Sequence, residues 1–300
     1  MKTSGKKSFF TGISRRNFIG KAATAGMAGI VVQPVITDLT LKEEENQTFN
    51  GLSSKVQMQF MRPDQLEEAL RQFPTVYVPF GLIEWHGRHL PLGNDALKAH
   101  GILVKCAEKF GGVVYPPVYF PSALYDKESE SLHPEENQWK IDMVTALFNG
   151  IKQTGARVIM GVSGHNIMQQ IALINRALEP VVTDGTITGI GLWEISLSMS
   201  EESSSDHAAK WETSNMMYLY PELVDMSALG TGPLAPSMQP PDGIGGLDPR
   251  IYASAEVGKL NVELCAEAIG RKAKELLLTL PEDQRSFNKS CICPEHWWQI

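Results

Sequence analysis

Residues 75–95 read TVYVPFGLIEWHGRHLPLGND and join an apolar run to a cluster of ionisable side chains. The run TVYVPF is typical of a strand that is buried on both faces. Two carboxylates and two imidazoles follow it directly: Glu84, His86, His89 and Asp95. Burying so many ionisable groups without a counter-ion is costly. The stretch therefore predicts a functional site at the carboxyl end of a strand.

The segments around this stretch alternate between helix-like and strand-like patterns. Apolar residues recur at helical spacing in RPDQLEEALRQF, DALKAHGILVKCAEKF, WKIDMVTALFNGIKQTG and IMQQIALINRALEP, whereas GGVVYPPVYF, RVIMGVS and GTITGIGLWEIS are typical of strands. The alternation predicts an α/β fold: a three-layer α/β/α domain with a mainly parallel central sheet. Sites in such folds lie at the carboxyl ends of the strands.

The chain divides into four predicted regions. Residues 1–40 form a basic leader, 41–54 an acidic spacer, 55–280 the α/β domain and 281–300 a C-terminal tail. Within the domain, residues 230–250 hold Gly and Pro so densely that we expect a long irregular loop, followed by a last helix in SAEVGKLNVELCAEAIGRKAKELLLTL.

Charge is distributed unevenly between the leader and the body of the chain. Six basic residues and one acid give residues 1–40 a net charge of +5, so the whole-chain charge of −7 leaves −12 for residues 41–300. An acidic body disfavours nucleic acid as a partner. No segment beyond the leader is long and apolar enough to span a bilayer, so we expect no stable membrane span once the leader has been removed. We therefore expect a small-molecule partner.

The leader resembles a twin-arginine export signal. In SRRNFIGKAATAGMAGIVV, the pair Arg15 and Arg16 precedes a short Ala/Gly-rich apolar segment, with Phe18 and Lys21 at the spacing of that signal. The resemblance implies export to the periplasm, in a folded state that can already carry a cofactor. The alternative is a basic amphipathic helix or a frayed terminus. No clear cleavage site follows the apolar segment.

The four cysteines carry little functional signal. Cys106 and Cys265 fall in helix-like segments, where a cysteine behaves as a small buried apolar residue. Cys291 and Cys293 lie too close together for an unstrained bridge. With His296 they offer at most three ligands in a terminal tail, which is a weak metal signal.

Two further segments add ionisable residues to the candidate site. VSGHN places His165 after a predicted strand, and SSSDHAAKWETS carries Asp206, His207 and Glu212. Mixed nitrogen and oxygen ligands suit Zn²⁺, Mn²⁺ or Fe²⁺ better than Ca²⁺ or Mg²⁺. Two alternatives stay open: a structural polar network for the first cluster, and a carboxylate that complements a helix dipole for Glu212.

In combination, these motifs resemble the creatininase (creatinine amidohydrolase) family. The pattern Glu-x-His-Gly-x-His-Leu-Pro-x-x-x-Asp spans residues 84–95, the family's histidine segment corresponds to residues 163–165, and its Asp-His-Ala and Glu-Thr-Ser segments to residues 206–208 and 212–214. GIGGLDPRIYASAEVGK is similar to a Gly-rich segment near the family's end. The resemblance covers roughly residues 55–280 and keeps the motifs in order.

The resemblance implies a binuclear centre that holds two divalent metal ions, Zn²⁺ above all and Mn²⁺ or Fe²⁺ otherwise. It also implies hydrolysis of a C–N bond in a cyclic or linear amide by a metal-bridged hydroxide, and a homo-oligomer, a hexamer in many members. Carried over by position, Glu84 and His165 bind one ion, His86 the other, and Asp95 both. Glu212 supplies the remaining carboxylate.

Roles in catalysis follow from the same positions. His207, together with Glu212, is predicted to be catalytic, because an imidazole can pass a proton to the leaving nitrogen at neutral pH. Its alternative role is that of a hydrogen-bonding brace. Asp206 is expected to tune His207, and His89 and Trp211 are expected to support the ligands or contact substrate.

Departures from the family pattern concern the substrate. Asn166, Ile167 and Met168 replace residues that often follow the metal histidine, and Ile167 stands where some members have a glutamate ligand. Together with Met168, Trp193 and Trp211 could make the pocket more apolar. We therefore predict the reaction class and not creatinine itself. The competing hypotheses are a non-catalytic periplasmic metal- or ligand-binding protein of the same fold and, last, a metallophosphoesterase.

Overall fold

The strands predicted from the sequence form one parallel sheet. The computed structural model describes residues 48–49, 52–121, 138–235, 237–238 and 241–288. The strands are β1 (Thr48–Phe49), β2 (Leu52–Ser53), β3 (Thr75–Ile83), β4 (Val113–Val114), β5 (Val118–Pro121), β6 (Val158–Ser163) and β7 (Thr188–Trp193). The five strands β3 to β7 form the main sheet, in which every pairing is parallel. The short strands β1 and β2 pair with each other antiparallel.

Helices connect the strands and cover the sheet. They are α1 (Pro63–Gln72), α2 (Asn94–Phe110), α3 (Gln138–Gln153), α4 (Met168–Val182), α5 (Lys210–Leu219), α6 (Pro249–Tyr252) and α7 (Ala255–Thr279). Each helix predicted from apolar spacing is present. The predicted end of α4 at Pro180 is too early, because the helix continues for two residues beyond that proline.

Strand β3 is the centre of the sheet and pairs on both sides. Along one edge it pairs with β6, from Thr75 opposite Val158 to Phe80 opposite Ser163. Along the other edge, β4 and β5 pair with its two halves. The carbonyl of Tyr77 faces β4, so Pro79, two residues on, faces the same edge, in the gap between β4 and β5. A residue without an N–H can stand in a central strand there because no neighbour needs its donor.

Two apolar cores, one on each face of the sheet, confirm the predicted three layers. On one face, Tyr77 and Met160 pack with side chains of α2, α5 and α7. On the other, Phe80 and Ile159 pack with side chains of α3 and α4. Phe80 stacks on Phe120 of β5 and meets the edge of Phe148 of α3, with ring centroids 5.9 and 6.0 Å apart.

The carboxyl ends of three neighbouring strands carry the polar residues that the sequence singled out. Glu84 follows β3, His165 lies two residues after β6, and Glu194 follows β7 directly. Parallel strands bring these ends to one edge of the sheet.

Several predicted features lie outside the described residues. They are the leader, most of the acidic spacer, and the tail segment with Cys291 and Cys293. Within the described parts of the chain, no helix is both long and apolar enough to cross a bilayer.

Candidate metal centre

The five predicted metal ligands meet at the carboxyl edge of the sheet, although they come from four segments. Glu84 and His86 lie in the loop after β3, Asp95 in the first turn of α2, His165 after β6 and Glu212 in the first turn of α5. His86, Asp95 and Glu212 are buried, whereas Glu84 and His165 are partly exposed. Their ligand atoms form two groups, each within 4.8 Å.

The first group consists of Glu84, Asp95 and His165. His165 Nδ1 lies 3.1 Å from Glu84 Oε1 and 3.3 Å from Asp95 Oδ2. One imidazole nitrogen therefore faces two carboxylate oxygens, which is a donor set suited to a divalent transition metal.

The second group consists of His86, Asp95 and Glu212. His86 Nε2 lies 3.0 Å from Asp95 Oδ1 and 3.5 Å from Glu212 Oε2. Its other nitrogen, Nδ1, lies 3.4 Å from the carbonyl oxygen of Glu84, to which it donates. That bond keeps a proton on Nδ1 and turns Nε2 towards the carboxylates. Asp95 offers one oxygen to each group, which is the division that the family resemblance implies.

Two glycines bring Asp95 to this position. A Cβ on Gly81 would lie 2.2 Å from the backbone nitrogen of Ala96, and a Cβ on Gly164 would lie 2.0 Å from the carbonyl oxygen of Asp95. The first turn of α2 can therefore rest directly on the ends of β3 and β6. Asp95 Oδ2 then accepts a bond from the Leu82 N–H at 3.4 Å, so the side chain folds back over β3.

The residues fit a bound divalent metal. Glu84 Oε1 and His86 Nε2 are buried without a hydrogen bond of good geometry. Around them, four carboxylates face one ammonium, which leaves a formal charge of −3 with neutral imidazoles: Glu84, Asp95, Glu194 and Glu212 against Lys98. Buried charge of this size calls for cations.

The local field already draws positive charge to the imidazoles. Burial alone would lower the pKa of His86, but Asp95 and Glu212 outweigh it and raise the pKa to about 9. Burial likewise opposes protonation of His165, yet Asp95 and Glu84 raise its pKa to about 10. The carboxylates that stabilise the protonated imidazoles are the same groups that would bind metal ions.

His207 lies beside the second group. Its ring stacks on His86 with centroids 4.5 Å apart, and its Nε2 donates to the carbonyl of Trp85 at 2.9 Å. Burial, together with the positive charge of His86, lowers the pKa of His207 and keeps the ring neutral. Since Nε2 carries the proton, Nδ1 keeps the lone pair. Glu84, His86 and His207 also form a third group within 4.8 Å, so His207 is close enough to be a ligand.

The Gly-rich segment fixes the backbone of His207. Gly245 donates to the carbonyl of His207 at 2.8 Å, and Asp242 holds the segment by accepting from Arg88 at 2.9 Å. The next residue, Ala208, has φ +50°, a left-handed conformation that costs a non-glycine residue about 1 kcal/mol. Its N–H donates to Glu212 Oε2 at 2.8 Å. The backbone around His207 is thus held from both sides.

The remaining predicted residues have structural contacts. The carboxylate of Asp206 accepts the N–H groups of Trp211 and Glu212, at 2.9 and 3.1 Å, and so caps α5. His89 Nε2 lies 2.8 Å from Thr213 Oγ1, which ties the loop after β3 to α5. The Trp211 ring lies under Lys210 Nζ at 3.9 Å.

Two buried charges at the site, Lys98 and Glu194, were not predicted from the sequence. Lys98 Nζ is 2.5 Å from Glu212 Oε1 and 2.9 Å from Glu194 Oε1. The carboxylates outweigh burial and raise the pKa of Lys98. Only Glu194 carried a signal, because it directly follows a strand, as Glu84 does. Lys98 recurs with Lys105 and Lys109 on the polar side of α2, so the helical pattern does not mark it as buried.

A cavity of about 380 Å³ opens onto the two groups. Its lining includes ligand candidates, the polar residues Asn166, Ser205 and Asp206, and several apolar side chains: Ile167, Trp193, Ile195, Met199 and Met238. Trp193 therefore forms part of the apolar cavity wall, as predicted. Among the described lining residues, neither Trp211 nor Met168 occurs, and Met168 is 65% exposed.

Comparison with known proteins places the chain in a family. The sequence profile of the creatininase family, described as creatinine amidohydrolase, matches residues 59–272. The chain belongs to the creatininase family. It is 24% identical over 233 residues to a creatinine amidohydrolase from Pseudomonas putida, which covers 67% of this chain and 89% of that protein.

Solved structures of creatininases share the fold. A crystal structure of creatinine amidohydrolase superposes with a TM-score of 0.58 at 20% identity, covering 75% of this chain and 99% of that one. Two further structures, a Zn–Zn type of a mutant creatininase and a creatininase described with Mn, give TM-scores of 0.55 and 0.54 at 21% and 22% identity. They cover 74% of this chain and 98% of their own.

The Gly164→Ala substitution tests the close approach of α2. The added Cβ would push against the Asp95 carbonyl, so we expect a loss of about 2 kcal/mol in the free energy of unfolding, as for other overpacked sites. Displacement of Asp95 should also weaken binding of Zn²⁺. Urea unfolding and a zinc titration measure the two effects.

Gly150→Ala is the matched control, because no atom lies within 4 Å of its Cβ position in α3. There we expect a gain of up to about 1 kcal/mol from the better helix former. Equal stability of the Gly164→Ala and wild-type proteins would contradict the account of how Asp95 is positioned.

Proposed function

We propose that this protein is a metal-dependent amidohydrolase that binds two divalent ions and cleaves a C–N bond of a small cyclic or linear amide. The observation that carries the proposal is the position of Asp95, whose two oxygens face two separate ligand groups. A carboxylate in that position can bridge two cations. Glu84 and His165 would complete the site of one ion, and His86 and Glu212 that of the other.

The donor set favours Zn²⁺, with Mn²⁺ or Fe²⁺ as alternatives. Creatininases described as a Zn–Zn type and with Mn support this choice. When bound, a pair of such ions supplies a Lewis acid for the amide carbonyl and lowers the pKa of shared water towards 7, so that hydroxide is available at neutral pH.

His207 would handle the proton that the leaving nitrogen needs. The ring lines the cavity, is neutral, and keeps the lone pair on Nδ1 because Nε2 donates to the Trp85 carbonyl. A neutral imidazole in this position can take a proton and pass it on. Asp206 would act indirectly, by capping the helix that carries Glu212.

The cavity sets the scale of the substrate. A volume of about 380 Å³ accommodates a small molecule. The apolar wall includes Trp193 and also Ile167, one of the residues that depart from the family pattern after the metal histidine. We therefore propose a small amide as the substrate class and leave creatinine as one member among those to be screened.

Location and assembly rest on resemblance. Arg15 and Arg16 support export by the twin-arginine pathway, with the periplasm as the location in a two-membrane cell. The Arg15→Lys/Arg16→Lys variant should stay in the cytoplasmic fraction of cells that express it. Export of this variant would contradict the twin-arginine route. The family resemblance supports a homo-oligomer. A monomeric molecular mass measured by light scattering would contradict that proposal.

The competing function is a binding protein that holds metal and ligand without turnover. His207 and Glu212 argue against it, since a neutral imidazole beside a ligand carboxylate can transfer a proton, which binding alone does not require. The site offers no specific observation in favour of a metallophosphoesterase.

Elemental analysis tests the metal centre. The purified protein should hold two transition-metal ions per chain, Glu84→Ala should lose one, and Asp95→Ala should lose both because its carboxylate serves both groups. Glu201→Ala removes an exposed carboxylate elsewhere and should retain both ions. Less than one ion per chain, unchanged by the first two substitutions, would make the cluster a structural network.

Replacing His207 separates catalysis from binding. His207→Ala should keep two ions, since the two groups around Asp95 stay complete, and should lose about 10²- to 10⁴-fold in amide hydrolysis. The substrate is first found by screening small amides with the wild-type protein. Loss of an ion along with activity would make His207 a ligand, and a wild-type protein inert on every amide would favour the binding protein.

A further inference from the structure

We propose that Lys98 and Glu194 are positioning residues that hold Glu212 with one oxygen turned towards the second ion, by which we mean the ion at the group of His86, Asp95 and Glu212. This inference rests on the proposed two-ion site. It assigns a role to a buried ion pair that lies behind the ligands and that the proposed reaction does not otherwise use.

The two oxygens of Glu212 have different partners. Oε1 is 2.5 Å from Lys98 Nζ. Oε2 accepts the Ala208 N–H at 2.8 Å and lies 3.5 Å from His86 Nε2. The ammonium therefore occupies one oxygen and leaves the other for an ion, which sets the rotation of the carboxylate.

Glu194 makes this arrangement compatible with metal binding. If Lys98 paired with Glu212 alone, its positive charge would cancel the charge of the ligand. Because Lys98 Nζ also contacts Glu194 Oε1 at 2.9 Å, the Lys98–Glu194 pair is neutral and Glu212 keeps its negative charge for the ion. Asn166 Nδ2 donates to the same Glu194 oxygen at 3.2 Å and to Ser205 Oγ at 2.6 Å, which fixes the pair from the cavity side.

Lys98 is also rigidly linked to the shared ligand. It lies three residues after Asp95, and side chains at this spacing share one face of a helix. One element, α2, thus places both the carboxylate between the two groups and the ammonium that orients Glu212. This matters for the second ion, because Ile167 stands where some family members supply a glutamate and cannot coordinate.

The test is a zinc titration of the Lys98→Met/Glu194→Gln variant against a chromophoric chelator, which yields a dissociation constant for each ion. The two changes remove one positive and one negative charge, so the formal charge of the site stays at −3 with neutral imidazoles and a change in ion binding does not reflect a change in total charge. We expect the second ion to bind about 10- to 100-fold more weakly, as for other residues that orient metal ligands, and the first ion to bind as in the wild type. The visible absorption of bound Co²⁺ should change for the second ion alone.

Lys105→Met/Glu108→Gln is the matched control, because it removes a 3.0 Å pair that is partly exposed and lies further along the same helix. Both ions should bind to it as in the wild type. Wild-type affinity for the second ion in the Lys98→Met/Glu194→Gln variant would overturn the inference. So would an equal loss of both ions, which would give the pair a general structural role. Fewer than two ions in the wild type would instead contradict the proposed function itself.

Discussion

The site depends on the contact between the first turn of α2 and the ends of β3 and β6. Gly81 and Gly164 lack side chains where the backbone of α2 arrives, and any Cβ at these positions would collide with it. Asp95 is thereby buried between the two imidazoles His86 and His165. Every other ligand candidate is arranged around this carboxylate.

The same contact concentrates negative charge in the core. Proteins bury unpaired carboxylates only at a large cost in free energy, which is offset here by protonated imidazoles, by Lys98, or by bound cations. The raised pKa values of His86 and His165 express that demand for positive charge. A centre built in this way is prepared for metal before any ion arrives, at the expense of stability without it.

The ligand candidates and the groups that hold them in place are different residues. Asp206 caps α5, His89 ties the loop after β3 to the same helix, and the Gly-rich segment clasps His207. These contacts act on backbone and orientation, and they explain why residues spread over four motifs keep one geometry. Ile167 and Trp193 line the cavity but belong to none of the ligand groups.

The sequence by itself determined the layered fold and the ligand candidates, because both leave local patterns: apolar periods for strands and helices, and Glu, His and Asp at short spacing after a strand. It could not decide which oxygen of Asp95 faces which imidazole, or that Lys98 contacts Glu194 and Glu212 across 96 and 114 residues of chain. A lysine on the polar side of a helix and an acid after β7 have meaning only as a pair. That pairing depends on how α2, β7 and α5 pack, which no local pattern records.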